Sequence, residues 1–306
     1  MKSLAMAARE YLALRRTLGF KLRHETWWLP DFVEYLRSHG SVITTALALR
    51  WAQQPPDADP NWWAKKLAAI RRFARHHHVS DPRTEIPPPD LLPYQRHRLT
   101  PHLYTDDEVT ALLQEARRLR NPLKSATYTT LLGLLAATGL RVSEAIGLDQ
   151  DDIDYHQSLL IVSRSKFGKS RHVPIHDSTL RALHDYARVR DRLCPRRRSR
   201  SFFVSRAGTR VLHQNFHHAF LRLLRLCALD GQGGRRPRLH DLRHTFAVKT
   251  LRDWYRAGID VEQRLPWLST YLGHVSPTST YWYLTATPEL LALAAQRLER
   301  SWKVQS

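Results

Sequence analysis

The sequence predicts an α+β protein that is mainly α-helical, carries one small antiparallel β-sheet and is divided into two domains. Apolar residues recur at helical spacing through most of the chain. Two short β-prone runs, 159–162 and 172–175, flank a polar turn and predict a hairpin with a basic tip. A proline-rich stretch over 80–102 interrupts the helical pattern, which places a domain of residues 1–96, linker included, before one of residues 97–306.

The chain is strongly basic. It holds 48 Lys plus Arg against 28 Asp plus Glu, a net charge of +20, and its pI is near 10.6. Most of the basic residues are arginine, whose planar fork grips a phosphate with two parallel hydrogen bonds. Residues 1–96 and 97–306 both contain more basic than acidic residues, which indicates a polyanionic partner such as nucleic acid. An arginine-rich proteome is the alternative that composition leaves open.

Residues 1–80 are predicted to form a small helical domain. Thr26 is expected to cap a helix that Gly40 ends, with an apolar face made of Leu29, Phe32, Val33 and Leu36. Leu47 and Trp51 continue the apolar pattern in a short third helix.

Asp59-Pro60-Asn61 opens a further helix with Trp63, Leu67, Ile70 and Ala74 on its apolar face. The opposite stripe carries Lys65, Arg72, Arg75 and His76. A charged stripe is commonly no more than a solvated helix face. Here the stripe is a candidate for contact with a DNA backbone, with the three cations Lys65, Arg72 and Arg75 as the candidate DNA-binding residues.

The second domain begins with the capping-box pattern Thr105-Asp106-Asp107-Glu108. An apolar helix containing Leu131 and Leu135 then ends at Gly139, and the predicted hairpin follows. Further helices are expected from an Asp177-Ser178 cap to Arg192, over residues 214–226, and from Pro288 onward. The last of these has the apolar residues Leu290, Leu291, Ala294 and Leu298 on one side.

Three separated segments carry residue types suited to phosphate chemistry. In 137–145, a glycine ends one helix and places Arg141 at the start of the next, where free backbone N–H groups favour an anion. In 239–247, His240 and Arg243 are three residues apart and share a helix face. The third segment is Leu272-Gly273-His274, with Tyr283 nine residues beyond the histidine.

Together these segments resemble the tyrosine recombinase, or phage integrase, family. The family pattern is Gly-Leu-Arg-x-Ser-Glu, a hairpin lysine, His-x-x-Arg-His, Leu-Gly-His and a tyrosine nine residues after the last histidine. Every element occurs here in that order across roughly residues 105–285. The resemblance implies a SAM-like helical core-binding domain followed by the family's catalytic domain, in the short two-domain form without an arm-binding domain.

The resemblance also implies roles for individual residues. Arg141, His240, Arg243 and His274 match catalytic positions, Tyr283 matches the nucleophile, and Glu144 matches the acid that supports the first arginine. Lys166 corresponds to the hairpin lysine, with Lys169 as its competitor. Tyr281 is a nearby tyrosine in the wrong register. Lys169 and Arg171, on the hairpin, join the DNA-binding candidates, while His244 is expected to pack or to bond the backbone.

The residue types explain why such a set is needed. A phenol has an ordinary pKa near ~10 and is a weak nucleophile at neutral pH, so it needs a base, for which His240 is a candidate. Attack on a phosphodiester builds negative charge that Arg141, Arg243 and His274 would neutralise. Lys166 would protonate the departing 5′ oxygen. The resemblance implies a 3′-phosphotyrosyl intermediate and rejoining without ATP.

No cofactor, metal site or membrane partner is expected. The carboxylates in 149–154 lack the spacing of a calcium loop, and His76, His77 and His78 point in different directions on a helix. Two cysteines and no visible secretory signal predict a cytoplasmic, nucleoid-associated protein. In the family, the segment after the nucleophile commonly docks on a neighbouring protomer; packing on its own domain is the alternative.

The predicted partner is double-stranded DNA at recombination sites. The active assembly is expected to be a homotetramer on synapsed DNA, formed from a chain that can be monomeric in solution, with accessory or partner recombinases as optional components. An integrase or transposase of a mobile element is favoured. The alternatives are a chromosome-dimer resolvase, an inversion switch, a relaxing topoisomerase and a DNA-binding accessory protein without catalysis.

Overall fold

The computed structural model divides the chain into two compact units, Met1–Arg98 and Leu99–Ser306. It describes residues 3–40, 42–94, 100–163, 170–231, 236–274, 276, 278–284 and 288–305, and the side chains of these up to residue 297. The described elements are mainly helices with one small sheet, as the sequence predicts.

The described residues of the first unit form four helices, α1 (Leu4–Thr17), α2 (Glu25–His39), α3 (Thr45–Ala52) and α4 (Pro60–His78). Phe32, Trp51, Ile70 and Phe73 are fully buried between them, since each helix turns one apolar stripe inward. The predicted cap Thr26 is wrong: it lies inside α2, where its hydroxyl bonds Leu22 O, and His24 precedes the helix.

The first half of the proline-rich segment is fastened to the first unit. Arg71 donates from Nε to Pro87 O (2.8 Å) and from Nη2 to Pro88 O (2.6 Å). Glu85 accepts from Thr45 N at 2.7 Å. Proline removes N–H donors but leaves its carbonyls free, so an arginine can hold an extended proline run in place.

The second unit is built around α6 (Pro122–Thr138), which packs against α5 (Asp106–Arg117), α8 (Asp177–Leu193) and α10 (Asp241–Arg256). The other α-helices among its described residues are α7 (Val142–Gly147), α9 (His213–Leu226), α11 (Val261–Leu272), α12 (Thr278–Leu284) and α13 (Pro288–Gln305). The predicted capping box at Thr105 is present. The predicted Asp177-Ser178 cap is displaced by one residue, because the His176 ring accepts from Ser178 N.

The described residues of the second unit include a three-stranded antiparallel sheet in the order β1-β2-β3. Its strands are β1 (Ile153–Asp154), β2 (Leu159–Val162) and β3 (Arg171–Pro174). Leu160 pairs with Val173, and both are buried on the same face of the sheet. The two predicted strands therefore pair, while β1 was not predicted. The hairpin tip, with Lys166 and Lys169, lies outside the described residues.

The closing helix α13 packs against α10 of the same chain. Leu290 is buried in the cluster formed by α10, α11 and α12. Glu289 pairs with Arg256 at 2.7 Å, and Arg297 pairs with Asp260 at 3.0 Å. None of the described helices is long and apolar enough to cross a bilayer.

Candidate active site

Gly139 places Arg141 at the start of α7. It ends α6 in the left-handed conformation (φ 60°), and a Cβ there would lie 2.7 Å from a ring carbon of Phe246. The chain turns sharply enough for Arg141 to become the residue that precedes α7. Only a residue without a side chain satisfies both requirements, which explains the Gly-Leu-Arg sequence.

Gly273 ends α11 in a similar turn and places His274 directly after it. It is left-handed (φ 68°), and a Cβ there would lie 2.6 Å from Nη1 of Arg171. Its carbonyl accepts from Nη2 of Arg141 at 3.0 Å. The next residue, His274, is held by a backbone bond to Ser269 O (2.9 Å) and by its ring Nδ1, 2.7 Å from Oγ1 of Thr280.

Arg243 is buried at the centre of the site, with 2% of its surface exposed. It donates to Gly139 O at 2.8 Å and to Leu272 O at 2.6 Å, the carbonyls that end α6 and α11. These helix ends carry partial negative charge, which stabilises a guanidinium. Burial and the neighbouring charge of Arg141 lower the pKa of Arg243 to about 10, so it remains a cation at neutral pH.

Glu144 is the buried carboxylate that links the arginines. Its side chain is 4% exposed. It accepts from Arg141 N (3.0 Å) and Nη1 (2.7 Å), and from Arg171 Nη1 (3.2 Å) and Nη2 (2.9 Å). Burial alone would raise its pKa, but the hydrogen bonds and charges of Arg171 and Arg141 outweigh burial and lower the pKa to about 2.

Arg171 reaches this cluster from β3. Its Nε donates to Tyr271 O at 2.8 Å, so all three guanidinium nitrogens have protein partners. This geometry favours a positioning role for Arg171 over direct contact with DNA. It also ties the strand that leaves the hairpin tip to the end of α11.

The three histidines of the site are neutral at pH 7. Desolvation and the positive charges of Arg243 and other site residues lower the pKa of His240 to about 4 and that of His274 to about 3. His240 precedes α10 and remains exposed on one side. Burial and His240 lower the pKa of His244 to about 4.

Tyr283 lies inside this group, with 2% of its surface exposed. Burial raises the pKa of its phenol, while the charge of Arg243 and a hydrogen bond from it act in the opposite direction. Its ring centroid is 6.1 Å from that of His274. Tyr281, by contrast, is 51% exposed on α12. The structure therefore brings Arg141, Arg243, His274 and Tyr283 together and leaves Tyr281 outside.

Sequence reasoning missed the partner of Tyr283. The ring Nδ1 of His244 lies 3.1 Å from the Tyr283 hydroxyl, although His244 was expected to pack or to bond the backbone. The two residues are 39 positions apart, so the contact depends on α12 packing against α10. The sequence signal for His244 is its place as the last residue of the His-x-x-Arg-His pattern, directly after Arg243.

The DNA-binding candidates of the first unit lie on the surface of α4. Lys65, Arg72 and Arg75 are exposed, and Arg72 pairs with Glu25 at 2.8 Å. The neighbouring Lys66 is buried instead and donates to Trp51 O and Gln54 O.

A basic cleft in the second unit was also missed. It has a volume of about 510 Å³, and its lining includes Lys124, Arg206, Arg222 and His218. None of the described lining residues is acidic, and within the described part of the chain none of the three cations forms an ion pair. The residues come from α6, α9 and the loop before α9, so no single segment reveals them.

Comparison with known proteins identifies the family. The sequence profile of the phage integrase family matches residues 103–289, more than half of the chain. The chain belongs to this family. It is a tyrosine recombinase, an enzyme that cleaves and rejoins DNA.

Two relatives illustrate the range of similarity. A putative integrase/recombinase, y4rB, of Sinorhizobium fredii is 44% identical over 311 aligned residues and covers 99% of both chains. The tyrosine recombinase XerD of Mycobacterium tuberculosis is 34% identical over 200 residues, covering 63% of this chain and 60% of its own.

Solved structures share the recombinase's fold. XerH recombinase, in a post-cleavage complex with its difH substrate, superposes with a TM-score of 0.65 at 18% identity, over 89% of this chain and 78% of its own. The Tn1549 transposon integrase, in complex with transposon right-end DNA, gives 0.63 at 15% identity over 97% and 100%.

Proposed function

We propose that this recombinase cuts one DNA strand at a time through Tyr283, with Arg141, Arg243 and His274 binding the phosphate under attack. The observation that carries the proposal is the convergence of these four side chains. Arg141 and Arg243 are fixed by the carbonyls that end α6 and α11, and Tyr283 lies against Arg243 and His274.

The proposed reaction is an in-line displacement. Tyr283 Oη bonds to phosphorus, the bond from phosphorus to the 5′ oxygen breaks, and a 3′-phosphotyrosine and a free 5′ hydroxyl result. The phenol gives up its proton and the 5′ oxygen gains one, for which Lys166 remains the proposed donor. Attack by the hydroxyl of a partner strand reverses these bond changes and rejoins the DNA.

The arginines act mainly through charge. The phosphorus oxygens gain negative charge in the transition state, where donors already fixed in place need no reorganisation. Glu144 holds Arg141 and Arg171, and His240 lies at the exposed edge of the same site. We assign His240 to contact with the scissile phosphate.

DNA contact is proposed at three surfaces. The α4 face carries Lys65, Arg72 and Arg75, the hairpin carries Lys169, and the second unit adds the basic cleft with Lys124, Arg206 and Arg222. Cations that contact backbone phosphates do so without reading sequence, so these residues would supply affinity and position.

The biological role proposed is integration or transposition of a mobile element. The name of y4rB, a putative integrase/recombinase that aligns with 99% of this chain, supports this role over chromosome-dimer resolution. A homotetramer on two synapsed sites is proposed as the active assembly, since a lambda integrase of the same fold forms a tetramer on a Holliday junction. A cytoplasmic, nucleoid-associated location follows from this role.

Trapping the covalent intermediate tests the proposal. Nicked duplexes tiled from the DNA that flanks the gene are incubated with protein in EDTA, and denaturing gels detect a protein–DNA adduct. The nick lets a short 5′-hydroxyl fragment diffuse away, so the adduct accumulates. Adduct is expected with wild type and with the matched control Tyr281→Phe, and none with Tyr283→Phe. A protein that binds several fragments without adduct would support a non-catalytic accessory role instead.

A further inference from the structure

The hydroxyl of Tyr283 has a specific neighbour that the assigned set does not include. The ring Nδ1 of His244 lies 3.1 Å from Tyr283 Oη, within hydrogen-bond distance. His240, the base suggested by the sequence, forms no hydrogen bond with Tyr283 among the described residues. Its ring instead contacts that of His244, with centroids 4.8 Å apart and planes at 86°.

The surrounding rings hold His244 in this orientation. The ring of Trp282 lies across it at 5.4 Å and 68°, and the ring of Tyr283 lies at 5.5 Å and 58°. The backbone of His244 is the first turn of α10, where Arg243 is itself fixed by two carbonyls. The imidazole therefore contacts the phenol from a helix whose first turn is held by the hydrogen bonds of Arg243.

The charges around His244 keep it neutral. Burial and the adjacent His240 lower its pKa to about 4, with Arg238 and Arg243 acting in the same direction and Asp241 opposing them. A neutral imidazole has one nitrogen that accepts a proton. The buried phenol needs such a group, because burial raises its pKa.

We propose that His244 is the general base for Tyr283, and that His240 contacts the phosphate instead. The Oη–H bond breaks as the proton moves to Nδ1 of His244 and Oη bonds to phosphorus. When the strand is rejoined, the imidazolium returns this proton to Oη. This assignment rests on the proposed role of Tyr283 as nucleophile.

Single-turnover cleavage of the nicked duplex tests the assignment. His244→Gln keeps a polar side chain but cannot take up a proton at neutral pH. General bases contribute roughly 100-fold or more, so cleavage should slow by about that factor while DNA affinity is unchanged. The rate should recover as pH rises, because the phenolate fraction increases. His244→Ala should recover on addition of imidazole. The matched control is His184→Gln, an exposed histidine beside Tyr155, which should cleave at the wild-type rate.

A second substrate separates the base from the leaving-group acid. A sulfur in place of the bridging 5′ oxygen leaves without protonation. This substrate should restore the cleavage rate of a variant that lacks Lys166, the proposed acid. The cleavage rate of His244→Gln should stay low. Wild-type speed of His244→Gln on the ordinary substrate, or its rescue by the sulfur substrate, would overturn the proposal.

The histidine tautomer provides a test that needs no variant. In ¹⁵N NMR of the wild-type protein, Nδ1 of His244 should be unprotonated at pH 7. A protonated Nδ1 would donate to Tyr283 and would refute the assignment. If wild type forms no adduct, the proposed function fails. If wild type cleaves and His244→Gln cleaves equally fast, only the role of His244 fails.

Discussion

Replacing Glu144 with glutamine should destabilise the second unit by about 3 kcal/mol at pH 7. The pKa of Glu144 is about 2 against an ordinary 4.5, and one pKa unit corresponds to ~1.36 kcal/mol. Its side chain is almost inaccessible, so solvent screens this interaction little. Breaking a buried ion pair costs roughly 3–5 kcal/mol in other proteins, which gives the same magnitude independently.

The pH dependence of this loss has a definite sign. The pKa of Glu144 is lower in the folded chain than in the unfolded chain. Its contribution is therefore complete above about pH 4.5 and disappears as the pH falls toward 2. Urea unfolding of wild type and Glu144→Gln, each at pH 7 and pH 3, measures the difference. The gap between the two proteins should narrow at pH 3.

Glu115→Gln provides the matched control. Glu115 also pairs with an arginine, Arg118, three residues away, but the arginine is largely exposed. Exposed pairs are worth about 0–1 kcal/mol. If Glu144→Gln lost no more stability than Glu115→Gln at pH 7, the view that Glu144 holds the arginine cluster together would be refuted.

Two further predictions concern the glycine turn and the basic cleft. Gly273→Ala should lower the free energy of unfolding by more than ~2 kcal/mol and slow cleavage, because its Cβ would displace Arg171. The control Gly258→Ala, equally left-handed but facing open space, should lower it by only about 1 kcal/mol. Urea unfolding compares the two variants, and equal losses of stability would contradict the steric argument. Replacing Arg206 and Arg222 together with glutamine should reduce the slope of log binding constant against log salt by about 2, and an unchanged slope would remove the cleft from the DNA interface.

Most helices and the order of the site segments could be predicted from the sequence, because local spacing determines them. The Thr105 capping box and the turn at Gly139 are signals contained within a few neighbouring residues. The prediction of a helix cap was wrong where another side chain competed for the position. His176 caps α8, although the residues with the expected capping pattern, Asp177-Ser178, follow it. The strand β1 was missed because two residues are too few to show alternation.

The contacts that organise the site could not be predicted in this way. Glu144 pairs with Arg171 across 27 residues, and His244 meets Tyr283 across 39. Such pairs depend on how β3 and α12 pack against helices far away in the chain. The basic cleft could not be predicted for the same reason, since its cations become neighbours only when α6, α9 and the loop before α9 pack together.

The balance of charge in the site indicates what it is built to bind. Arg141, Arg171 and Arg243 carry three positive charges against the single negative charge of Glu144, and the site histidines are neutral at pH 7. The helix-end carbonyls reduce the repulsion but supply only partial charges. About two positive charges therefore remain. A phosphodiester brings one negative charge, whereas the five-coordinate species formed by a phenolate carries two, and the proton taken up by His244 adds a positive charge beside it. The fixed arginines and the His244 imidazolium therefore attract the transition state more strongly than the bound DNA, which is the condition for faster chemistry rather than tighter binding alone.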